Sequence, residues 1–262
     1  MTERKDAEWL RNKLAAGEMI IGTHIFCGSP MLTELMASMD YDIVWIDMEH
    51  APLDRMDVLN NVIAVRAGGA CSLVRITWNS PALAKPILDM GPDILLFPNI
   101  LDLTDAKRAV SACEYPPKGI RGYGPQRAAG FGEFSQKEYL LGKAGKMLRA
   151  VQIENMGAVA DIEAIAELEG IDLFIVGPND LSGSAGMLGA IDAPEMIAIY
   201  DALAAKLVRA GRPFGVSLGY DPQALGQWME RGAQVLFAGY DCGYVRDGAR
   251  RTAEGMRALI QK

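Results

Sequence analysis

Side chains suited to metal binding and acid–base chemistry occur directly after several short apolar segments of the chain. In chain order they are Asp47, Glu49, His50, Arg75, Glu154, Asp180 and Ser217. Paired carboxylates such as Glu154 and Asp180 suit a hard divalent cation that keeps water or substrate oxygens as its other ligands. A histidine can act as a general base near neutral pH, and an arginine can bind a carboxylate or a developing oxyanion. The set therefore predicts a site with a metal ion, a base and a cationic anchor, provided that the fold brings the segments together.

Each of these side chains also has a structural interpretation. A carboxylate after a strand often caps the following helix, and we assign that role to Asp54 and Asp221. A single histidine is more often structural than catalytic, and Arg75 could form an ion pair with Asp47 or Glu49. Only the shared position of the residues at strand ends favours the catalytic interpretation.

The segments that precede these residues belong to an alternation of strand-like and helix-like stretches. The eight strand-like segments are Met19–Ile25, Tyr41–Ile46, Cys71–Ile76, Asp93–Phe97, Leu148–Ile153, Ile171–Val176, Pro213–Ser217 and Gln234–Ala238. Several are apolar almost throughout, which is typical of strands buried on both faces of a parallel sheet. Eight such strands with intervening helices predict one α/β domain over residues 1–262, a (β/α)8 barrel with its active site at the carboxyl ends of the strands.

A doubly wound open sheet is the alternative fold, but no Gly-rich phosphate turn supports it. The nearest candidate, Ala67–Ala70, precedes a strand and is interpreted as a helix-ending turn. Apolar spacing predicts helices over Ala158–Glu169, Ala193–Ala210 and Val245–Ile260. The segment Tyr115–Phe134 is irregular, with three prolines and five glycines. A loop of this length in a compact barrel is usually functional or lies at an interface.

Charge and composition exclude several classes of partner. The 262 residues include 26 Lys and Arg against 33 Asp and Glu, a net charge of −7, which argues against a nucleic-acid-binding surface. No apolar segment approaches the roughly 18–20 residues that span a bilayer, and the charged amino-terminal segment lacks the apolar core of a signal peptide. The four cysteines are scattered without a CxxC pair, which disfavours a disulfide framework or a thiolate zinc site and favours a reducing cytoplasm.

Six short motifs recur in an order and at separations typical of one protein family. They are DMEHAP at 47–52, VRITWN at 74–79, LDMG at 88–91, YPPKGIRG at 115–122, QIE at 152–154 and GPNDLS at 177–182. Together they resemble the HpcH/HpaI aldolases, metal-dependent class II enzymes that act on pyruvate or related 2-oxo acids. The resemblance covers nearly the whole chain and implies a (β/α)8 barrel of the phosphoenolpyruvate/pyruvate-domain type.

The resemblance also implies roles for individual residues. Glu154 and Asp180 would bind Mg²⁺, Mn²⁺ or Co²⁺, and a 2-oxo acid would chelate that ion, which would stabilise the enolate as a Lewis acid. Arg75 would add positive charge at the same oxygen. His50, oriented by Asp89, would be the base, acting directly or through water. No Schiff-base lysine is required.

Four residues depart from the usual pattern of this family and make the expected pocket more polar. They are Asn179 before the metal aspartate, Asn99 after the fourth strand, His24 in the first strand and Ser217 in the seventh. We predict that Arg75, Asn179, Asp47, His24 and Ser217 bind substrate. His24 could instead be a hydrogen-bonded wall residue.

The leading hypothesis is an aldolase that cleaves a 4-hydroxy-2-oxo acid reversibly to pyruvate, or a close analogue, and an aldehyde. Oxaloacetate decarboxylation or citrate-lyase-like action on an acyl-CoA ester is the enzymatic alternative, although no lysine cluster suggests a CoA groove. A metal-dependent binding protein without catalysis is the third, and the intact set of candidate residues argues against it.

The resemblance implies a homo-hexamer, a trimer of dimers in which the last helix, Val245–Ile260, is exchanged between neighbours. The charged loop Tyr115–Phe134, with Arg121 and Arg127, could then reach a neighbouring subunit's site. Small molecules are the only other partners that we expect.

Overall fold

Eight parallel strands form a closed barrel in which each strand pairs with the next and β8 returns to β1. The computed structural model describes residues 5–260, so the two ends of the predicted 1–262 domain lie outside the described residues. The strands are β1 Ile20–Ile25, β2 Ile43–Asp47, β3 Cys71–Arg75, β4 Ile94–Phe97, β5 Leu148–Ile153, β6 Leu173–Val176, β7 Phe214–Leu218 and β8 Val235–Tyr240. The barrel prediction is confirmed, and closure excludes the doubly wound alternative.

Helices follow the strands and surround the barrel. They are α1 Ala7–Ala15, α2 Pro30–Ala37, α3 Arg55–Gly68, α4 Pro81–Met90, α5 Leu103–Cys113, α6 Gln136–Glu138, α7 Met156–Ala160, α8 Ile162–Ala166, α9 Pro178–Ser184, α10 Pro194–Arg209, α11 Pro222–Glu230 and α12 Asp241–Ile260. Asp54 and Asp221 cap α3 and α11, as predicted, by accepting hydrogen bonds from backbone N–H groups of the first turns. Gly69 ends α3 in the left-handed conformation, which confirms the predicted helix-ending turn.

Two apolar layers hold the strands in place. One fills the barrel interior with side chains such as Trp45, Leu73 and Phe237. The other lies between the barrel and its helices. Every residue of β2 to β6 is buried, because the barrel interior covers one face of these strands and the helices cover the other. This packing fixes the positions of the strand ends and hence of the polar residues that follow them.

Two segments differ from the sequence-based expectation. The predicted helix Ala158–Glu169 is two short helices, α7 and α8, separated at Asp161. The Asp161 carboxylate accepts the Leu103 N–H at 3.0 Å, a tertiary contact at the first turn of α5 that local periodicity does not reveal. The irregular segment Tyr115–Phe134 contains one short 3₁₀ turn, Gly130–Gly132.

The last helix differs from the others because it covers no part of its own barrel beyond its first turn. Only Asp241 and Gly243 of α12 are buried, and its apolar side chains Val245, Met256 and Ile260 are exposed. No helix within residues 5–260 is long and apolar enough to cross a membrane.

Candidate active site

The carboxyl ends of the strands surround a cavity of about 450 Å³. Seven of the predicted residues line it with their side chains or backbone: His24, Asp47, His50, Arg75, Asn179, Asp180 and Ser217. They come from β1, β2, β3 and β7 and from the segments after β2 and β6. The parallel strands thus bring together residues that are far apart in sequence.

Asp47 and Arg75 form an ion pair at the floor of this cavity. They are register partners on β2 and β3, and their side chains are almost completely buried. One carboxylate oxygen of Asp47 accepts an Arg75 N–H, and the other accepts the backbone N–H groups of Glu49 and His50 at 2.8 and 2.9 Å. Both oxygens of Asp47 thus hold Arg75 and the turn that carries His50, and Asp47 also lines the cavity, so its contact with substrate stays a prediction.

Arg75 has two further polar neighbours. Its Nη1 lies 2.8 Å from Glu49 Oε2 and donates to Gln152 Oε1 at 3.4 Å. The guanidinium lies over the Trp45 ring, 5.1 Å from the centroid. Its Nε–H is buried and has no partner among the described residues. The structural interpretation of Arg75 is thus correct, and the same contacts fix a cation at the cavity with one donor still free.

Glu154 follows β5 and is held by the link after β4. Its Oε1 accepts the backbone N–H of Asn99 at 2.7 Å, and the Asn99 side-chain amide donates to Glu49 at 2.7 Å. Asn99 adopts a left-handed conformation (φ 56°), which aims both donors at carboxylates. Glycine at position 177 leaves space beside Glu154, because a Cβ there would lie 3.1 Å from Oε2.

These carboxylates fit a divalent cation. Burial raises the pKa of Glu154 to about 7, against the Asn99 hydrogen bond, and the charges of Glu49 and Asp180 raise it further. Burial likewise raises the pKa of Glu49, against the opposing charge of Arg75. No Lys or Arg of residues 5–260 forms an ion pair with Glu154 or Asp180. A hard cation with oxygen ligands would relieve this crowding of negative charge, so Glu154 and Asp180 are suited to hold one.

His24 is a buried wall residue. Its Nδ1 lies 2.9 Å from the Gly239 carbonyl and its Nε2 lies 3.0 Å from Ser217 Oγ. A carbonyl only accepts, so Nδ1 carries the proton; in the neutral ring Nε2 then accepts the Ser217 hydroxyl. Burial lowers the pKa of His24 from 6.5 to about 4. Because the Ser217 hydroxyl donates its proton to the neutral ring of His24, the Ser217 oxygen can accept a hydrogen bond from another group.

The rim residues are more accessible. His50, Asn179 and Asp180 are exposed. Asn179 and Asp180 lie in the first turn of α9, and the Asn179 carbonyl accepts the Ser182 hydroxyl at 2.7 Å. These side chains are free to contact a ligand that enters the cavity.

Asp89 is not part of this cavity within one chain. It lies near the end of α4, which runs from the carboxyl ends of the strands back to the start of β4. Its carboxylate pairs with Arg121 at 3.0 Å. No hydrogen bond joins Asp89 to His50 within residues 5–260, so the orientation of His50 by Asp89 stays a prediction. Arg121 is itself buried and stacks on Tyr115, so it is not a free arm of the loop.

Three residues of the site had no role in the predicted catalytic, metal-binding or substrate-binding set, although Glu49 was named as a possible partner of Arg75 and Asn99 as a departure from the family pattern. Glu49 and Gln152 hold Arg75, and Asn99 joins Glu49 to Glu154. Glu49 and Gln152 were visible in the sequence as polar residues at strand ends. The left-handed Asn99 had a weaker signal, an asparagine shortly after a buried strand.

Comparison with known proteins agrees with this arrangement. The profile of the HpcH/HpaI aldolase/citrate lyase family matches residues 21–248. The chain is 32% identical to a 5-keto-4-deoxy-D-glucarate aldolase of Salmonella arizonae over 92% of this chain and 93% of that one. It is also 32% identical to a 4-hydroxy-2-oxo-heptane-1,7-dioate aldolase of Salmonella paratyphi C, over 93% and 92% of the two chains.

A crystal structure of an HpcH/HpaI aldolase/citrate lyase family protein from Burkholderia cenocepacia superimposes with a TM-score of 0.89 at 32% identity, over 95% of this chain and 99% of that one. The fold and the site define a parallel barrel enzyme of the lyase class. The chain belongs to the HpcH/HpaI aldolase/citrate lyase family.

Proposed function

We propose that the protein is a divalent-metal-dependent aldolase that cleaves a 4-hydroxy-2-oxo acid reversibly to pyruvate, or a close analogue, and an aldehyde. The observation that carries the proposal is the cluster at the cavity: a fixed cation, Arg75, beside two carboxylates, Glu154 and Asp180, that lack ion-pair partners among the described residues. The names of the Salmonella relatives support this class of substrate.

Glu154 and Asp180 would hold the metal ion, which when bound supplies Lewis-acid polarisation of substrate oxygens. Arg75 lines the cavity and is assigned to the oxygen at which negative charge develops. Because Asp47 and Glu49 fix the guanidinium, this charge needs no rearrangement during the reaction.

His50 is the proposed base. In the cleavage direction it takes the proton of the 4-hydroxyl group, the C3–C4 bond breaks and the aldehyde leaves. C3 then takes up a proton to give pyruvate. Asp47 positions the imidazole by holding the backbone N–H of His50. His24 and Ser217 form a polar wall that we assign to a hydroxyl or carboxylate of the substrate.

Pyruvate deuterium exchange tests the proposal without knowledge of the aldehyde. The methyl protons of pyruvate are followed by NMR in D2O with Mg²⁺, Mn²⁺ or Co²⁺ and then with excess chelator. We expect metal-dependent exchange that stops on chelation and falls at least about 100-fold in Glu154→Gln, because a ligand is lost. Glu163→Gln, an exposed carboxylate on α8, is the matched control and should behave like the parent. Exchange that persists with chelator would overturn the metal site.

Oxaloacetate decarboxylation is the alternative activity. It uses the same chemistry as aldol cleavage, since negative charge also develops on the 2-oxo oxygen. It is measured in parallel with aldol cleavage of a 4-hydroxy-2-oxo acid. A decarboxylation rate well above the cleavage rate would replace the aldolase assignment with the alternative.

We propose that the chain assembles as a hexamer with exchanged α12 helices. An apolar groove of about 870 Å³ beside β1 and β8 supports this, with Leu225, Leu236 and Tyr244 among its lining residues. In this assembly a neighbouring copy would supply the Asp89 that we assign to His50. The four unpaired cysteines support a cytoplasmic location.

A further inference from the structure

Two cysteines that are far apart in sequence meet beside the candidate active site. Cys27 follows β1, and Cys242 lies in the first turn of α12. Both are free and exposed, and their sulfur atoms and a carboxylate oxygen of Asp241 lie within 4.8 Å of one another. Their neighbours Phe26 and Tyr240 line the active-site cavity and pack edge to face, 5.8 Å between centroids.

Asp241 fixes the backbone that carries both thiols. Its carboxylate, completely buried, accepts the N–H of Cys27 at 2.9 Å and that of Cys242 at 2.8 Å. It also accepts the N–H of Phe26 at 3.1 Å. Among residues 5–260 it has no Lys or Arg partner. The carboxylate thus places a negative charge, with no cationic partner among the described residues, within 4.8 Å of both thiols.

The charge has a chemical effect on the thiols. Burial and the hydrogen bond to Asp241 raise the pKa of Cys27 to about 11. Burial and Asp241 also raise the pKa of Cys242.

We propose that Cys27, Cys242 and Asp241 form a binding site for a thiophilic divalent cation of the zinc type. Two sulfur–metal bonds and one oxygen–metal bond form, the two thiol protons pass to solvent, and the fourth tetrahedral position is open to water. Zinc–sulfur bonds of about 2.3 Å need sulfur atoms closer than 4.8 Å, and rotation of two exposed side chains can supply this.

This site differs in chemistry from the carboxylate pair Glu154 and Asp180. Thiolates select soft or borderline cations, whereas an all-oxygen pair suits Mg²⁺ and Mn²⁺. The two sites therefore discriminate between metals. A cation bound by Cys27 and Cys242 would tie the segment after β1 to the start of α12, the two elements that carry Phe26 and Tyr240.

Cadmium is the probe, because cadmium thiolates have an ultraviolet charge-transfer band that oxygen ligands do not give. The reduced full-length protein is titrated with Cd²⁺, and the band should saturate at one ion per chain. Zn²⁺ added afterwards should displace the ion and remove the band. Cys27→Ser and Cys242→Ser should each weaken binding at least about 10-fold, and both side chains are exposed, so the variants should fold.

The two buried cysteines provide the matched control. Cys71→Ala and Cys113→Ala should keep the band, as should Glu154→Gln, whose substitution removes only the carboxylate site. Asp241→Asn should weaken Cd²⁺ binding if the variant folds. The proposal is overturned if the reduced parent gives no band, if the Cys27→Ser, Cys242→Ser double variant retains it, or if Zn²⁺ fails to compete.

Discussion

His24 makes the pH dependence of stability a test of its environment. Its ring is buried between Trp45 and Phe237, with centroids 4.9 and 5.9 Å away, and burial lowers its pKa from 6.5 to about 4. In the unfolded chain the ring takes up a proton near pH 6.5, whereas in the folded chain it does so only near pH 4. The contribution of neutral His24 to the free energy of unfolding is therefore complete above pH 6.5 and is lost as the pH falls toward 4.

Between pH 7.5 and 5.0 this linkage amounts to about 2 kcal/mol of unfolding free energy. Urea unfolding at the two pH values should show that His24→Asn loses about 2 kcal/mol less than the parent over this interval. His50→Asn, the same change at an exposed histidine, keeps His24 and should keep the full loss. An equal loss in the parent and in His24→Asn would mean that His24 is protonated in the folded chain.

At the scale of an element, the link after β4 joins two carboxylates through one residue. The left-handed backbone of Asn99 directs its N–H to Glu154, and its amide reaches Glu49. Asn99→Ala removes the side-chain amide. Alanine also adopts the left-handed conformation less readily than asparagine, so the backbone at position 99 becomes more strained. Mn²⁺ affinity, measured by titration calorimetry, should fall about 10-fold or more, as for other residues that orient a metal ligand.

Asn99→Gly separates the two causes, because glycine accepts the left-handed conformation but lacks the amide. A smaller loss in Asn99→Gly than in Asn99→Ala would assign part of the effect to the backbone N–H of residue 99. Parent-like Mn²⁺ binding in both variants would show that this link does not position Glu154.

Most elements were predictable because their patterns are local. The β5 strand, Leu148–Ile153, was predicted to the residue from its four apolar residues, although Arg149 and Gln152 interrupt that pattern. The break at Asp161 was not, because its cause is a hydrogen bond to Leu103 from another helix.

The candidate site also combines features that local sequence patterns predict with features that depend on tertiary contacts. Residues at strand ends were predicted to converge, and His24, His50, Arg75 and Ser217 do line one cavity. The ion pairs of Arg75 with Asp47 and Glu49 were predicted as one interpretation. The contact of Asn99 with Glu154 was not, because it depends on a left-handed backbone conformation. Asp89, at the opposite end of α4, could be paired with His50 only by resemblance, which does not specify the chain that supplies it.

At the scale of the whole molecule, α12 is a twenty-residue amphipathic helix whose apolar face has no cover in its own chain. Val245, Met256 and Ile260 share one face of this helix by spacing, and all three are exposed. Exposed apolar patches of this kind mark protein–protein contacts. The apolar groove beside β1 and β8 is the complementary surface that a second copy can fill.

A charge on the apolar face of α12 should therefore dissociate the assembly. We expect Met256→Glu to shift the mass found by sedimentation velocity from an oligomer toward the 28.3 kDa chain. Ala258→Glu adds the same charge on the opposite face of the same helix and is the matched control, which should sediment like the parent. If Asp89 acts on His50 from a neighbouring copy, pyruvate exchange should fall with the oligomer in Met256→Glu and persist in Ala258→Glu. A dissociated Met256→Glu variant with full exchange activity would make each subunit's site complete on its own and would contradict a role for a neighbour's Asp89.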